Sequence, residues 1–295
     1  MQTPLDRVSH TQKERLAYIE FRAYFLGEIS RADIIKRFGI ATAAATRDLA
    51  MYRSISDGNV ELDPRSKCYV PVRDFRLIFE HPVDRVLSAL SQGFGEGISG
   101  QTRPLIPSEI PRPLHYPDVS VFAPITQAIY RKKVVRIAYH SFSSGRSERD
   151  IVPFALANNG LRWHVRAFDR KRSQFIDFVL TRVEASELLS GSQVEEGEDA
   201  SCDIQWSRIV ELELVPHPKE KHHEIVPMDY GMPGDRVLKT RVRAALAGYF
   251  LRQWSVDCSA DHSLEGPEIR LWLRNPLALY GVDSASLAPG YQSDR

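Results

Sequence analysis

Apolar residues recur every three to four positions between residues 11 and 26, and this spacing predicts an amphipathic helix. A second, shorter helix is predicted over residues 31–38. Ser30 can accept a hydrogen bond as its N-cap, and Asp33 can complete a short-armed capping box. Gly39 is the residue type that most often follows a helix end. The sequence therefore predicts two helices joined by a short connection.

A third helix is predicted to start with Thr42 as its N-cap, because Ala45, Leu49 and Tyr52 recur on one helical face. Beyond it, apolar and polar residues alternate on both sides of the turn "DPRSK" (63–67), which predicts a β-hairpin. Two short helices joined by a turn that contains glycine, followed by a hairpin, are in the order of a winged helix-turn-helix.

The third helix carries small and polar side chains that suit contact with base edges, and the hairpin tip carries cations that suit contact with phosphates. The residues predicted to contact DNA are Thr42, Ala43, Thr46, Arg47 and Arg53 in the helix, and Arg65 and Lys67 at the tip. Residues 1–75 contain 12 Lys or Arg against 10 Asp or Glu, so charge alone does not decide this function. A small helical bundle without a nucleic-acid role is the alternative.

The next stretch predicts a connection between domains. Residues 75–90 have the spacing of an amphipathic helix, with Pro82 tolerated near its start. Gly and Pro are then frequent over residues 91–118, which excludes a long helix and predicts a linker. A ligand-binding loop is the alternative interpretation of this segment.

A β-rich module follows a helix predicted over residues 121–131. Four strand-like runs are separated by turns rich in Gly, Asn, Asp and Ser, which predicts a small Sm-like or SH3-like barrel. From residue 130 to residue 182 the chain has 12 Lys or Arg against 4 Asp or Glu, whereas its overall formal net charge is +1. Residues 170–172 lie in a predicted turn, where we expect a solvated basic rim.

Alternation along the third run separates two faces of the sheet. Trp163, Val165 and Ala167 share a face that suits the core. His164, Arg166 and Phe168 share the other face. A face that presents aromatic, histidine and arginine side chains has the chemistry to stack a base and to bind a phosphate.

The remaining residues predict a small α+β domain. Residues 208–218 alternate like a strand, a helix is predicted from residue 235 onward, and residues 268–273 predict another strand. His217, His222 and His223 lack the partners and spacing of a metal site, so we predict none.

Composition narrows the class of protein. The chain has 295 residues, which suits two or three domains, and its 43% hydrophobic and 26% charged residues are typical of a soluble protein. It has no apolar run of membrane-spanning length and no signal-peptide pattern. The three cysteines lie far apart, which suits a reducing cytoplasm.

The common catalytic and nucleotide-binding motifs are absent from the sequence, so we predict no enzyme, no catalytic residue and no cofactor. A nucleic-acid-processing protein that uses the basic module is a rival. It would need paired carboxylates, and Asp169 and Asp177 are its candidates.

The run from residue 134 to residue 183 resembles a WYL domain. The name-giving triplet reads Trp163-His164-Val165, so its second and third residues depart from the pattern. The other matching positions are Tyr139 and Ser141; Arg149, Ile151 and Pro153; and Phe178, Leu180 and Arg182. With a winged helix before it and a small domain after it, the whole chain is similar to bacterial WYL transcriptional regulators. It is most similar to the CapW- and BrxR-like repressors that accompany anti-phage defence operons.

The resemblance implies a multidomain α+β protein: a winged helix-turn-helix (1–75), a helix and linker (76–119), an Sm-like WYL domain (120–190) and a dimerisation domain (205–285). It implies a homodimeric repressor on double-stranded operator DNA with an inverted repeat, released by a nucleotide or nucleic-acid effector. The ligand-binding residues it implies are Tyr139, Ser141, Arg149, His164, Arg166 and Arg182. An activator of the same architecture is the alternative.

Overall fold

The computed structural model describes residues 8–94, 104–109, 111 and 114–292. The chain forms two compact units, residues 1–111 and residues 112–295. Within the described part of the chain, no helix combines the length and the apolar character needed to cross a membrane.

The N-terminal unit begins with three helices, α1 (His10–Leu26), α2 (Arg31–Phe38) and α3 (Thr42–Ile55). Ser30 and Asp33 form the predicted capping box on α2, and Gly39 ends that helix in the left-handed conformation. Thr42 is the first residue of α3 and not its cap, so that prediction is wrong. Ala41 is the N-cap, with an extended backbone and no side-chain hydrogen bond, because the chain turns into the helix one residue earlier than the side chains suggest.

The predicted hairpin is confirmed as β1 (Val60–Leu62) paired antiparallel with β2 (Tyr69–Pro71). An additional bridge joins Ile29, in the turn between α1 and α2, to Tyr69, so the hairpin is attached to the helices. Buried side chains from all three helices form the core of this unit, among them Leu16, Ile19, Ile34, Leu49 and Tyr52.

The helix predicted over residues 75–90 is shorter than expected. It runs as α4 (Val83–Gln92), and Pro82 is its N-cap rather than a residue within its first turn. A residue that precedes proline is disfavoured in helical geometry, which explains why the helix cannot extend back through His81. Much of the predicted linker at 91–118 lies outside the described residues.

The C-terminal unit begins with α5 (Val119–Arg131), which confirms the helix predicted there. Five antiparallel strands follow: β3 (Val135–Ser141), β4 (Gly145–Asn158), β5 (Trp163–Asp169), β6 (Gln174–Val179) and β7 (Val183–Leu188). Their order in the sheet is β6-β5-β4-β3-β7. Among the described residues the two edge strands, β6 and β7, do not pair, so the sheet is open and the Sm-like barrel is not confirmed.

The sequence predicted four strands in this sheet and missed β7. The fourth run was expected to continue to residue 183, but Leu180–Arg182 form a 3-10 turn. The turn is necessary because β6 lies at one edge of the sheet and β7 pairs with β3 at the opposite edge.

One face of the five-stranded sheet is covered by α5, and the other face is covered around β5 but exposed at Arg136 of β3. On one face, Ile137, Val165, Ala167 and Phe178 pack with Ile125 of α5 in a hydrophobic core, as predicted for Val165 and Ala167. Trp163 was predicted for the same core and is instead 43% exposed, because it is the first residue of β5, at the edge of that core. On the other face, His164 and Arg166 are only 4% and 5% exposed. Residues from the C-terminal part of the same unit cover the second face around His164 and Arg166, which makes this region a buried polar layer.

The C-terminal part contains α6 (Ile204–Ser207), β8 (Ile209–Pro216), α7 (Ile225–Asp229), β9 (Leu238–Arg243), α8 (Ala244–Gln253) and β10 (Leu271–Leu273). Its three strands form a sheet in the order β10-β8-β9, which confirms the predicted strands around residues 208–218 and 268–273. Residues 238–243 were predicted as helix, and that prediction is wrong. Leu238 and Val242 alternate toward the core, and pairing with β8 satisfies the backbone, so the helix starts only at Ala244.

Candidate functional site

The residues predicted to contact DNA are at the surface of the N-terminal unit. Thr42, Ala43, Thr46 and Arg47 are exposed on the first half of α3, whereas the opposite face of that helix is buried. The Thr46 hydroxyl donates to the carbonyl of Thr42, and Arg47 Nε donates to the carbonyl of Ala43 at 3.4 Å. Arg47 therefore lies along the exposed side of its own helix.

A buried ion pair orients this surface. Asp48 is 1% exposed and accepts hydrogen bonds from Gln12 and Arg15 of α1, with Arg15 Nε at 2.5 Å from Oδ2. Because Asp48 lies between Arg47 and Leu49 in sequence, the pair fixes which side of α3 faces outward.

The hairpin tip is organised by Asp63. Its carboxylate accepts from the backbone N–H groups of Arg65 and Ser66 and from the Ser66 hydroxyl, and these hydrogen bonds lower its pKa below the usual value. Lys67 adopts a left-handed φ of 58°. Arg65 and Lys67 are both exposed, and Arg53 lies against the Tyr69 ring at 5.8 Å, where it joins α3 to the hairpin.

Glu20 of α1 is a buried hub that the sequence analysis missed. Its carboxylate is fully buried and accepts hydrogen bonds from Tyr52 Oη (3.0 Å), the Ile78 N–H (3.0 Å) and the Phe79 N–H (2.9 Å), and it contacts His81 Nε2 at 3.1 Å. One carboxylate thus joins α1, α3 and the segment that leaves the hairpin. A glutamate inside the apolar run "AYIEFRAYFL" was the only signal in the sequence.

The six predicted ligand-binding residues are distributed over both faces and one end of the five-stranded sheet. Tyr139 packs in the core against Phe178, with ring centres 5.0 Å apart, and its hydroxyl accepts from the Val179 N–H. Ser141 is half-buried at the end of β3 and hydrogen bonds with Ser143. As a single pocket, the set of six remains a prediction.

Two of the six, both arginines, are engaged with buried carboxylates. Arg149 pairs with Asp169, and both side chains are at most 5% exposed. On the opposite face, Arg166 Nε lies 2.7 Å from Asp203 Oδ2, and Arg166 Nη1 lies 3.3 Å from Asp177 Oδ1.

Asp203 also accepts from the Trp206 N–H at the start of α6, so the ion pair connects the sheet to the C-terminal part. Asp169 and Asp177, the carboxylates that a nucleic-acid-processing protein would need, lie on opposite faces of the sheet and each has an arginine partner.

His164 and Arg182 lie in a different environment at the end of the sheet. Burial, followed by the positive charges of Arg162 and Arg182, lowers the pKa of His164 to about 4, so its ring is neutral at physiological pH. The Arg182 guanidinium lies 4.2 Å from the centre of the Phe142 ring, which is exposed on the loop between β3 and β4. In the described part of the chain, neither Arg162 nor Arg182 has a carboxylate within ion-pair distance.

The basic turn at residues 170–172 is only partly the solvated rim that we predicted. Arg170 Nε and Nη2 donate to the Glu198 carboxylate, each at 2.7 Å, and the same guanidinium binds Ser192 Oγ and the carbonyl of Gln193. The partners lie more than 20 residues away in sequence, so the charge pattern of the turn could not indicate them. Lys171 and Arg172 are exposed, as expected.

Comparison with known proteins matches three successive segments of the chain. Residues 11–92 match the "BrxR transcriptional regulator winged helix-turn-helix domain", residues 120–188 the "WYL domain" and residues 209–279 the "BrxR transcriptional regulator, C-terminal dimerization domain". Together these matches cover about three quarters of the chain. The chain belongs to the BrxR family of WYL-domain transcriptional regulators.

Relatives of this BrxR-family chain match it over nearly its whole length. The DNA-binding transcriptional repressor CapW of Escherichia coli (strain KTE188) is 28% identical over 283 residues, which is 92% of this chain and 91% of that protein. CapW of Pseudomonas aeruginosa is 29% identical over 90% of this chain and 89% of its own length. CapW of Stenotrophomonas maltophilia is 28% identical over 91% of this chain and 94% of its own length.

The order of the three matches is the order of the elements described above. The winged-helix match includes α4 as well as the hairpin, the WYL match ends with β7, and the third match contains β8, α8 and β10. In this BrxR-family regulator the buried face of the WYL sheet therefore packs on residues assigned to the dimerisation domain, among them those of α8.

Proposed function

We propose that the protein is a homodimeric transcriptional repressor that binds an inverted-repeat operator in double-stranded DNA. The observation that carries this proposal is the exposed polar face of α3, held outward by the buried pair of Arg15 and Asp48. The match to a dimerisation domain supports the homodimer, and the relatives named as repressors support the direction of regulation.

In the proposed complex, α3 enters the major groove with its N-terminal half toward the bases. Thr42, Ala43 and Thr46 are small enough to allow close approach, and Arg47 reaches a base edge or a phosphate. Arg65 and Lys67 at the hairpin tip contact the neighbouring backbone, where they add affinity without sequence preference. A twofold dimer places the second α3 in a successive groove, which requires an inverted repeat.

Replacing Arg47 by alanine is expected to weaken operator binding because each half-site loses one cationic contact. The loss is about 1–3 kcal/mol, or roughly 5- to 150-fold, for each half-site. The operator is first isolated by selection from random-sequence duplexes with the wild-type dimer, and affinities are then measured by gel shift at fixed salt concentration.

Arg85→Ala serves as the control, since Arg85 is exposed on α4 and carries the same charge. It should bind like wild type, and both variants should remain dimers by light scattering. Unchanged affinity of Arg47→Ala would remove this residue from the reading surface.

We further propose that a nucleotide or nucleic-acid signal binds the WYL sheet and releases the operator. Arg182 and Arg162 are the cations best placed to bind a phosphate, because neither is neutralised by a described carboxylate, and Arg182 stands over an exposed aromatic ring. Ser141 adds a hydroxyl at the end of β3. Arg149 and Arg166 support the sheet in this proposal, since their guanidinium groups already bind carboxylates.

Release requires that the ligand bind the operator-free conformation more tightly than the operator-bound one. The resemblance to repressors of anti-phage defence operons extends the proposal to such an operon, with a signal produced during infection or DNA damage. Arg182→Ala should therefore repress a reporter promoter normally and fail to induce it during phage infection.

Lys171→Ala is the matched control for the Arg182 variant, because it removes an exposed cation from the turn at the other end of β6. It should induce at the wild-type level. Normal induction of Arg182→Ala would place the signal elsewhere.

A further inference from the structure

The proposed phosphate site lies against a helix of the dimerisation domain. The ring of His164 packs on the ring of Tyr249 in α8, with centres 5.2 Å apart and planes inclined by 37°. Arg162 and Arg182 both act electrostatically on His164, and Arg162 also acts on Tyr249. The two cations proposed to bind phosphate are therefore within electrostatic reach of the contact between the sheet and α8.

A second contact lies one helical turn further along α8. The turn between β4 and β5 contains Gly160, with a φ of +85°, and a Cβ at this position would lie only 2.9 Å from Cδ of Gln253. Arg162 follows two residues later. Tyr249 and Gln253 are four residues apart and so lie on the same face of α8. One helical face thus touches both the strand and the turn that flank Arg162.

A third connection between the sheet and the C-terminal part is of another kind. Arg166 is bound to Asp203 through two hydrogen bonds, of 2.7 and 3.2 Å, in a buried position. Separating these charges would be costly, so this ion pair keeps the middle of β5 in place. Tyr249 stacks on His164 and Gln253 makes a van der Waals contact with Gly160, and both contacts can adjust while the pair of Arg166 and Asp203 stays in place. Tyr249 also lies beside the carboxylate of Asp177.

We propose that α8 senses occupancy of the phosphate site: phosphate binding by Arg162 and Arg182 shifts the β4–β5 turn and His164, and the stacked Tyr249 and Gln253 pass this shift to the dimerisation domain. The inference rests on the phosphate site of the proposed function. The occupant is an anionic phosphate group, and the regulated element is the domain that joins the two protomers. A change there alters the distance or angle between the two copies of α3 without any change in the reading helix itself.

The chain contains its own reporters for this proposal. Trp163 lies in β5 between Arg162 and His164, and Trp254 is the C-cap of α8, directly after Gln253. Trp272 donates its Nε1–H to the carbonyl of Ser259 and serves as an internal reference. The full-length protein labelled with 5-fluorotryptophan is titrated with inorganic phosphate, a nucleoside 5′-monophosphate and a 5′-phosphorylated dithymidylate, and the fluorine resonances are assigned by single Trp→Phe variants.

In the wild type, the Trp163 and Trp254 resonances should shift with the same half-saturating concentration, while Trp272 stays in place. In the double variant Tyr249→Leu/Gln253→Ala, Trp163 should still shift and the Trp254 shift should fall at least fivefold. The single variant Gln253→Ala covers the case in which the double variant does not fold, because it changes only an exposed side chain. It should reduce the Trp254 shift about twofold. Arg252→Ala, the neighbouring exposed position on α8, should leave both shifts unchanged.

The outcomes separate the two proposals. A wild-type Trp163 shift without a Trp254 shift would overturn the coupling and leave the phosphate site standing. A full Trp254 shift in Gln253→Ala and in the double variant would show that another route carries the signal, which also overturns the coupling. If none of the three phosphate compounds shifts the Trp163 resonance, the proposed phosphate site is wrong, and the proposed coupling is wrong as well.

Discussion

Replacing Arg166 by alanine is expected to destabilise the protein by about 3–5 kcal/mol, because the substitution leaves two buried carboxylates without their cation. Asp203 and Asp177 are 2% and 11% exposed in their side chains, and both contact this guanidinium. Burial raises the pKa of Asp177 above its ordinary value even with Arg166 beside it, so the unpaired carboxylate would be costly to keep ionised. Urea unfolding followed by circular dichroism measures the loss.

Arg136→Ala is the matched control for this variant. Arg136 also makes a two-pronged contact with an aspartate, Asp150, but on the exposed surface of the same sheet, where water screens the pair. We expect its unfolding midpoint to stay close to that of the wild type. If Arg166→Ala keeps wild-type stability and instead loses induction, Arg166 belongs to the ligand site after all, as the sequence pattern first indicated.

Replacing Glu20 by alanine is expected to cost more than about 3 kcal/mol of stability, since three donors inside the N-terminal unit lose their acceptor at about 1–3 kcal/mol each. The donors are Tyr52 Oη and the N–H groups of Ile78 and Phe79. Tyr52 belongs to α3, so operator affinity should fall together with stability. Thermal unfolding and gel shifts on the same samples measure both effects.

Glu28→Ala is the control, because Glu28 is an exposed glutamate just beyond the end of α1. Its unfolding temperature and operator affinity should match those of the wild type. The unfolding temperature of Glu20→Gln should lie between those of Glu20→Ala and Glu28→Ala. The amide keeps one oxygen acceptor and presents a donor where the second acceptor was. A Glu20→Ala protein as stable as the wild type would show that this hub does not hold the unit together.

Local chemistry made the N-terminal elements predictable. The capping box of Ser30 and Asp33, the glycine after α2 and the hairpin around Asp63 each depend on residues a few positions apart, and the structure has all three. The start of α3 was predicted one residue too late, with Thr42 as its cap, and the start of α4 was predicted several residues before Pro82. Both errors arise because side-chain preferences do not fix where the backbone changes direction.

Distant pairing made the rest unpredictable. The segment 238–243 has residues compatible with a helix and becomes a strand because β8 offers an edge to pair with. The arginines of the WYL sheet looked available to a ligand because Asp203 and Glu198, which bind two of them, come 37 and 28 residues later in the chain. Sequence alternation correctly identified the polar face of the sheet. Only the fold shows that residues from the C-terminal part, such as Asp203 and Tyr249, lie against Arg166 and His164 on that face.

The buried polar layer between the WYL sheet and the C-terminal part limits how these regulators can be recombined. A chimera that joins this WYL sheet to the C-terminal domain of a relative keeps Arg166 and Asp177 but inherits whatever residues stand opposite them. Functional hybrids should therefore be those that exchange Arg166, Asp177, Asp203 and Tyr249 as a set. Over evolutionary time, a change in the polar face of the sheet and a change in the C-terminal residues that cover it would have to be accepted together.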